Sequence, residues 1–242
     1  MPANSSNQDV WWWQSRARAF GYDALGWMLS AYEGTAERLP TERLPWAVDN
    51  GLYVRATKRM FWDEAVYYAG LDRLLDHAAR IGHPPLFVAV PDSWGDRDET
   101  LRRWDEHAPR LMGRDVTLAM VVQDGMTGDD LPSEAGAVFV GGSDEWRWGA
   151  MPLWRSLTGW LHIGRINGTP GLRAAQAAGA DSCDGTGWFR QRGRGCTSAR
   201  DELGRYLDEQ HRSRNPAWGP ERARNLSVHA GAVDPAPARP VR

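Results

Sequence analysis

The feature that most constrains this chain is a rhythm. Short, unbroken apolar runs alternate with amphipathic stretches of helical length. Leu86-Phe87-Val88-Ala89-Val90 is such a run, closing in Pro91-Asp92. Continuous rather than alternating hydrophobicity marks a strand covered on both faces, as in a parallel sheet. The run from Val116 to Val122 closes in Gln123-Asp124-Gly125, Ala137-Val138-Phe139-Val140 in Gly141-Gly142, and Leu161-His162-Ile163 in Gly164-Arg165. Trp46-Ala47-Val48 before Asp49-Asn50-Gly51, and the segment Asp181 to Asp184, bring the strands to six. Between them the 3.6-residue period predicts helices over Trp62 to Ile81, Arg97 to Met112, Asp144 to Thr158 and Thr169 to Ala178. The first of these sets Ala65, Tyr68, Leu71, Leu75 and Ala78 on one face and stops at Gly82. A last helix, about Ser198 to Arg212, turns Leu203, Tyr206 and Leu207 inward.

This β-α-β-α alternation predicts an α/β fold, because each crossover helix must cover the sheet it returns to. At 242 residues the chain suits one TIM-type (β/α)8 barrel, with a doubly wound open sheet as the alternative. A barrel needs eight strands, so the expectation is a barrel incomplete or modified at its N-terminus. The missing strands fall to Val10–Glu33, where Leu25, Met28, Leu29 and Tyr32 nevertheless sit at helical spacing. No Gly-x-Gly-x-x-Gly turn follows the first strand, which disfavours a dinucleotide-binding unit. Residues 1–9 read as a disordered polar terminus, 10–215 as a single barrel domain, and 216–242 as a disordered tail rich in Pro, Ala and Arg.

A net charge of −2 argues against a generally basic nucleic-acid coat. Two cysteines, Cys183 and Cys196, are too few for a disulfide framework or a four-cysteine zinc site. No apolar run approaches membrane-spanning length, so the expected setting is cytoplasmic, with no membrane partner. Fourteen tryptophans, three of them at Trp11–Trp13, read as aromatic anchors for helices on the sheet.

In parallel α/β folds the carboxyl ends of the strands share one edge, where ligands bind. Here those ends carry Asp49, Asp92, Gln123, Gly141-Gly142, Gly164-Arg165 and Asp184. Three carboxylates with an amide suit glycosidic exchange. One carboxylate attacks an anomeric carbon while a second moves the leaving-group proton. A third carboxylate and an amide can read the hydrogen-bonding edge of a purine. Asp184 lies in Gly179-Ala180-Asp181-Ser182-Cys183-Asp184-Gly185-Thr186-Gly187, with Asp181 in a supporting place. His162 reads as a core histidine and Cys183 as a small buried residue.

The order and strand context of these motifs, from about Trp46 to Phe189, resemble the tRNA-guanine transglycosylase superfamily. The likeness is closest to its branch acting on DNA, the deazapurine-in-DNA (DpdA-type) transglycosylases. Asp49-Asn50-Gly51-Leu52-Tyr53 is similar to the family's Asp-Ser-Gly-Gly-Tyr, and Gly179 to Asp184 to its Gly-x-Asp-x-x-Asp. The resemblance implies Asp184 as nucleophile and Asp49 as general acid/base. It implies Asp92, Gln123, Gly141 and Gly142 as readers of the base, with Tyr53 and Ile163-Gly164 on its two faces. Arg165, Arg190, Arg192 and Arg194 are the candidate phosphate contacts. The implied activity replaces guanine in DNA by a 7-deazaguanine derivative. A tRNA enzyme and a non-catalytic base- or nucleic-acid-binding protein are the alternatives. The implied partners are nucleic acid, the 7-deazaguanine base and accessory proteins of a DNA-modification system, with no cofactor. Of the family's zinc subdomain only Cys196 and His211 remain, so no metal is expected.

Overall fold

A computed structural model describes residues 25–32, 44–185 and 199–214, together with Ser15 and Arg18. Seven strands are β1 (Trp27–Ser30), β2 (Trp46–Asp49), β3 (Val88–Ala89), β4 (Leu118–Val122), β5 (Ala137–Val140), β6 (Leu161–Ile163) and β7 (Ser182–Cys183). They form one all-parallel sheet in the order β1-β2-β3-β4-β5-β6-β7. The helices are α1 (Leu52–Thr57), α2 (Glu64–Ile81), α3 (Arg97–Met112), α4 (Asp144–Leu157), α5 (Thr169–Ala177) and α6 (Ala199–Arg214).

The predicted closed (β/α)8 barrel does not form. Closure requires the last strand to hydrogen-bond the first. Among the described residues β1 pairs only with β2 and β7 only with β6, leaving an open half-barrel sheet with helices. Nor does the strand order reverse, as it does at the switch point of a doubly wound sheet.

One expected strand was hidden by its own composition. Trp27-Met28-Leu29-Ser30 pairs in register with Trp46 to Asp49, although its apolar residues sit at helical spacing. Four successive buried residues carry no period at all, so a fully covered strand and a buried helical turn look alike in sequence.

Helix boundaries follow their caps. Asp63 accepts hydrogen bonds from the Ala65 and Val66 amides and starts α2 two residues later than the period suggested. Gly82, at φ 63°, ends it in the left-handed region. The buried face of α2 is Tyr67, Tyr68, Gly70, Leu71, Leu74 and Ala78, with Leu75 half-buried and Ala65 exposed. Gly70 sets this rotation, because a Cβ there would overlap the Ala31 carbonyl beyond β1. Helix α6 buries Leu203 and Leu207, and Arg173 of α5 pairs with Glu209 at 2.6 Å.

The sheet has two unlike faces. Trp46, Val48, Val88, Met120, Val138, Val140, Leu161 and Ile163 belong to the large core beneath the helices. The alternate residues Met28, Ala47, Phe87, Ala119 and Ala137 form a second, smaller cluster on the concave side, with Phe139 and Trp160 packed on it. Alanines on that side leave room above the sheet. Asp49, His162, Ser182 and Asp184 share the concave parity.

Candidate active site

The site sits at the carboxyl ends of the strands, and two of its carboxylates, Asp49 and Asp184, come from strands five apart in the sheet. A flat sheet would hold the ends of β2 and β7 about 24 Å apart, at about 4.8 Å for each of five steps. Yet the negative charge of Asp184 raises the Asp49 pKa, second only to burial. The sheet is therefore curled enough for the charge of Asp184 to act on Asp49. Burial, then Asp184, then Asp92 push Asp49 up to about 7, against hydrogen bonds from the Gly51 and Asn50 amides. Gly51 makes this turn possible. Its φ is 77°, and a Cβ would press on Ser30 Oγ at 3.2 Å and Tyr32 Cβ at 3.3 Å.

Asp184 has the opposite environment. Burial is the largest single influence and opposes its ionisation, but the His162 hydrogen bond and charge, together with the Arg165 amide and the positive N-terminal charge, jointly exceed it and hold the carboxyl below its ordinary value. His162 Nε2 lies 3.2 Å from Asp184 Oδ1, and the Arg165 amide donates to the same oxygen at 3.3 Å. The Asp184 side chain remains 16% exposed, so an oxygen can reach a ligand. His162 is fully buried between Phe87 and Phe139, with ring centroids 5.1 and 4.5 Å away. Burial lowers its pKa and keeps the ring neutral. The histidine that reads as a core residue is a core residue, and it is also the direct partner of Asp184.

Asp92 and Gln123 meet beneath the surface. Gln123 Nε2 donates to Asp92 Oδ2 at 2.6 Å, and Asn50 Nδ2 donates to Asp92 Oδ1 at 2.9 Å. Burial pushes Asp92 up to about 6 against these two hydrogen bonds. Gln123 Oε1 accepts from the Gly142 amide at 3.0 Å and the Gly95 amide at 3.1 Å, which uses both its lone pairs. The Gly141 amide donates to the Val122 carbonyl at 3.0 Å. Both glycine amides expected to meet a base are thus engaged within the protein. The glycines themselves are needed for close approach. A Cβ on Gly141 would lie 2.8 Å from Gln123 Nε2, and one on Gly142, at φ 63°, 2.6 Å from the Trp146 ring.

Ile163 does not face the site. It is fully buried in the helix-facing core, because the period of two places it opposite His162. Gly164 is on the concave side, where a Cβ would lie 2.6 Å from Phe139 and 3.4 Å from Asp184 Oδ1. Phe139, partly open, is therefore the ring beside Asp184. The alternation Ala137-Val138-Phe139-Val140 could have indicated it, since Phe139 is the one large side chain of its parity on that strand.

Tyr53, 40% exposed, stands at the rim edge-to-face with Trp94 at 5.7 Å. The Arg165 guanidinium lies 4.9 Å from the Tyr53 ring and donates to the Gly142 carbonyl, so it folds over the site. Arg165 adopts φ 62°, an uncommon conformation for a residue with a Cβ. Buried Arg147 donates to the Gly164 carbonyl and pairs with Asp144. Asp181 joins Arg155 Nη1 at 2.6 Å and the Leu161 amide at 2.7 Å, a supporting place away from Asp184. Arg190, Arg192, Arg194, Cys196 and the two predicted disordered ends lie outside the described residues.

Among the described residues, one group has metal-ligand spacing: Glu64, Glu106 and His107, on α2 and α3. Arg110 and Arg102 already pair with its carboxylates, and Tyr68 Oη lies 3.0 Å from His107 Nδ1. No helix among the described residues is long and apolar enough to cross a membrane.

The fold resembles a chain in the crystal structure of the Amycolatopsis orientalis BexX/CysO complex. The TM-score is 0.53 at 14% identity, over 98% of this chain and 93% of that one. At that identity the likeness shows the fold alone. No protein-family model and no curated protein matches the sequence.

Proposed function

We propose that this chain is a base-exchange transglycosylase that replaces guanine in DNA with a 7-deazaguanine derivative through a glycosyl-aspartate intermediate. The observation that carries the reading is the pair of electrostatically linked aspartates with opposite environments, Asp184 held below its ordinary value and Asp49 pushed up to about 7. Carboxyls driven apart in this way take separate acid/base and nucleophile roles. An Asp184 oxygen attacks C1′ of the nucleotide, and the bond to guanine N9 breaks as the Asp49 proton passes to the departing base. The incoming base gives its N9 proton to the Asp49 carboxylate, and its nitrogen displaces Asp184 with net retention at C1′. A pKa near neutrality lets Asp49 serve in both directions.

Asp92 accepts from the amide edge of guanine, N1–H or N2–H, and Gln123 offers its second Nε2–H to O6. Tyr53 stacks on one face of the base, while Phe139 and Gly164 lie toward the other. A target inside a duplex must be flipped out to reach this edge.

The test is exchange of labelled 7-cyano-7-deazaguanine into DNA and, in parallel, into tRNA, with mass spectrometry of the trapped protein. Label in DNA and a nucleotide adduct on Asp184 are expected. Label in tRNA alone would replace the polymer, and no exchange or adduct with either would sink the reading.

A further inference from the structure

The contacts behind Asp184 continue into the protein as a directed chain. Trp160 Nε1, which can only donate, lies 3.0 Å from Ser182 Oγ. Ser182 Oγ lies 2.8 Å from His162 Nδ1, and His162 Nε2 lies 3.2 Å from Asp184 Oδ1. Each end of the chain has one polarity, donor at the indole and acceptor at the carboxylate. A neutral imidazole facing a carboxylate through Nε2 carries its proton there, which leaves Nδ1 as the acceptor. Ser182, accepting from Trp160, then donates to Nδ1. All four residues lie on β6, β7 or immediately beside them, so the sheet register His162↔Ser182 holds the chain together.

We infer that His162 is a positioning residue: locked by Ser182 and Trp160 as its Nε2–H tautomer, it holds one oxygen of Asp184 ionised and aims the other at the ligand. The rings of Phe87 and Phe139 exclude water from the imidazole and deny it an alternative partner. Other groups also act on this pair. Asp49 on β2 and Arg147 of α4 feel the charge of Asp184, Cys183 adjoins it, and Arg165 donates through its backbone. Among the described residues, the Arg165 amide alone joins His162 in hydrogen-bonding the Asp184 carboxylate. A neutral donor is suited to the role, because an imidazolium would form a closed ion pair and blunt the nucleophile.

The inference concerns Asp184 as a nucleophile and so rests on the proposed function, but its first test needs no activity. In the full chain with 15N-labelled histidine, His162 should give the neutral Nε2–H pattern at pH 7. Ser182→Ala should mix the two tautomers. An Nδ1–H tautomer or an imidazolium at pH 7 in the wild type would overturn the inference, whatever the enzyme does. For the reaction itself, His162→Phe keeps a planar ring and loses the donor. Exchange should fall about tenfold to a hundredfold, the scale of a lost hydrogen bond to a charged group. The acid limb of its rate should move to higher pH. His162→Gln, whose Nε2 reaches a similar point, should recover most of the rate and return the limb toward its wild-type place. An unshifted limb in a folded His162→Phe would overturn the role. Correct tautomers with no exchange on any polymer would leave His162 as the partner of Asp184 and reject the proposed function instead.

Discussion

Asp49 and Asp184 are the same side chain on the same concave face, five strands apart, and their surroundings treat them oppositely. Asp49 has lost water and gained two carboxylates as neighbours, with only turn amides in return. Asp184 has lost water too, but it has a histidine donor and a backbone amide on one oxygen. Burial alone therefore does not assign a role to either. The deciding difference is the partner behind each group. Asp49 has none strong enough to hold its charge, whereas Asp184 is backed by His162, Ser182 and Trp160.

The harshest way to break this comparison is to neutralise the ionised member. Asp184→Asn should reduce exchange by at least about a thousandfold, as loss of a nucleophile does, and remove the covalent adduct. A wild-type rate in this variant would end the assignment. Asp49→Asn should cost about a hundredfold to ten-thousandfold, the usual share of a general acid/base, and flatten the limb of the pH profile near 7. Retention of that limb would show that another group titrates there.

Stability sharpens the comparison without any substrate. In the folded chain Asp49 and Asp92 are pushed up to about 7 and about 6, above the ordinary aspartate value of 3.8. Their stabilising contribution is full below pH 3.8 and is lost as pH rises toward 7. Asp184 runs the other way: its contribution is present above 3.8 and is lost as pH falls through its lower folded value. Denaturant melts should therefore show Asp49→Asn more stable than wild type at pH 8, by on the order of a few kcal/mol. The gain should vanish at pH 4. An equal gain at both pH values would mean that packing rather than charge is responsible.

Smaller effects come from the floor and rim of the site. Gly164→Ala forces its methyl into the Phe139 ring and should cost about 1–3 kcal/mol of stability, measured by the same melts. Tyr53→Ala leaves the fold intact, being 40% exposed, and should weaken base binding by about 1–3 kcal/mol in a titration calorimeter. Unchanged affinity would remove Tyr53 from the base-stacking role.

Much of the fold was legible because one strand ends and one helix begins at each polar break. Helices α3 and α5 start where their patterns place them, at Arg97 and Thr169. Strand β1 was not legible, since Trp27–Ser30 is buried at every position. Ile163 was assigned to the wrong face because a motif read along the chain ignores the period of two that turns it toward the helices. The glycine pair was recognised as special for a different reason from the one the packing supplies: Gln123 and Trp146 occupy the space a side chain would need.

The sequence by itself determined which residues stand at the carboxyl ends of the strands, since local hydrophobic runs and their breaks require no knowledge of the rest of the chain. It also determined that consecutive strands run parallel through crossover helices. Only the tertiary structure decided that the sheet stays open, and that its curl nonetheless brings Asp49 within reach of the Asp184 charge. It alone linked His162 to Asp184 across the β6–β7 register. Those outcomes depend on pairing and curvature between residues distant in sequence, and such terms leave no period in the chain to be read.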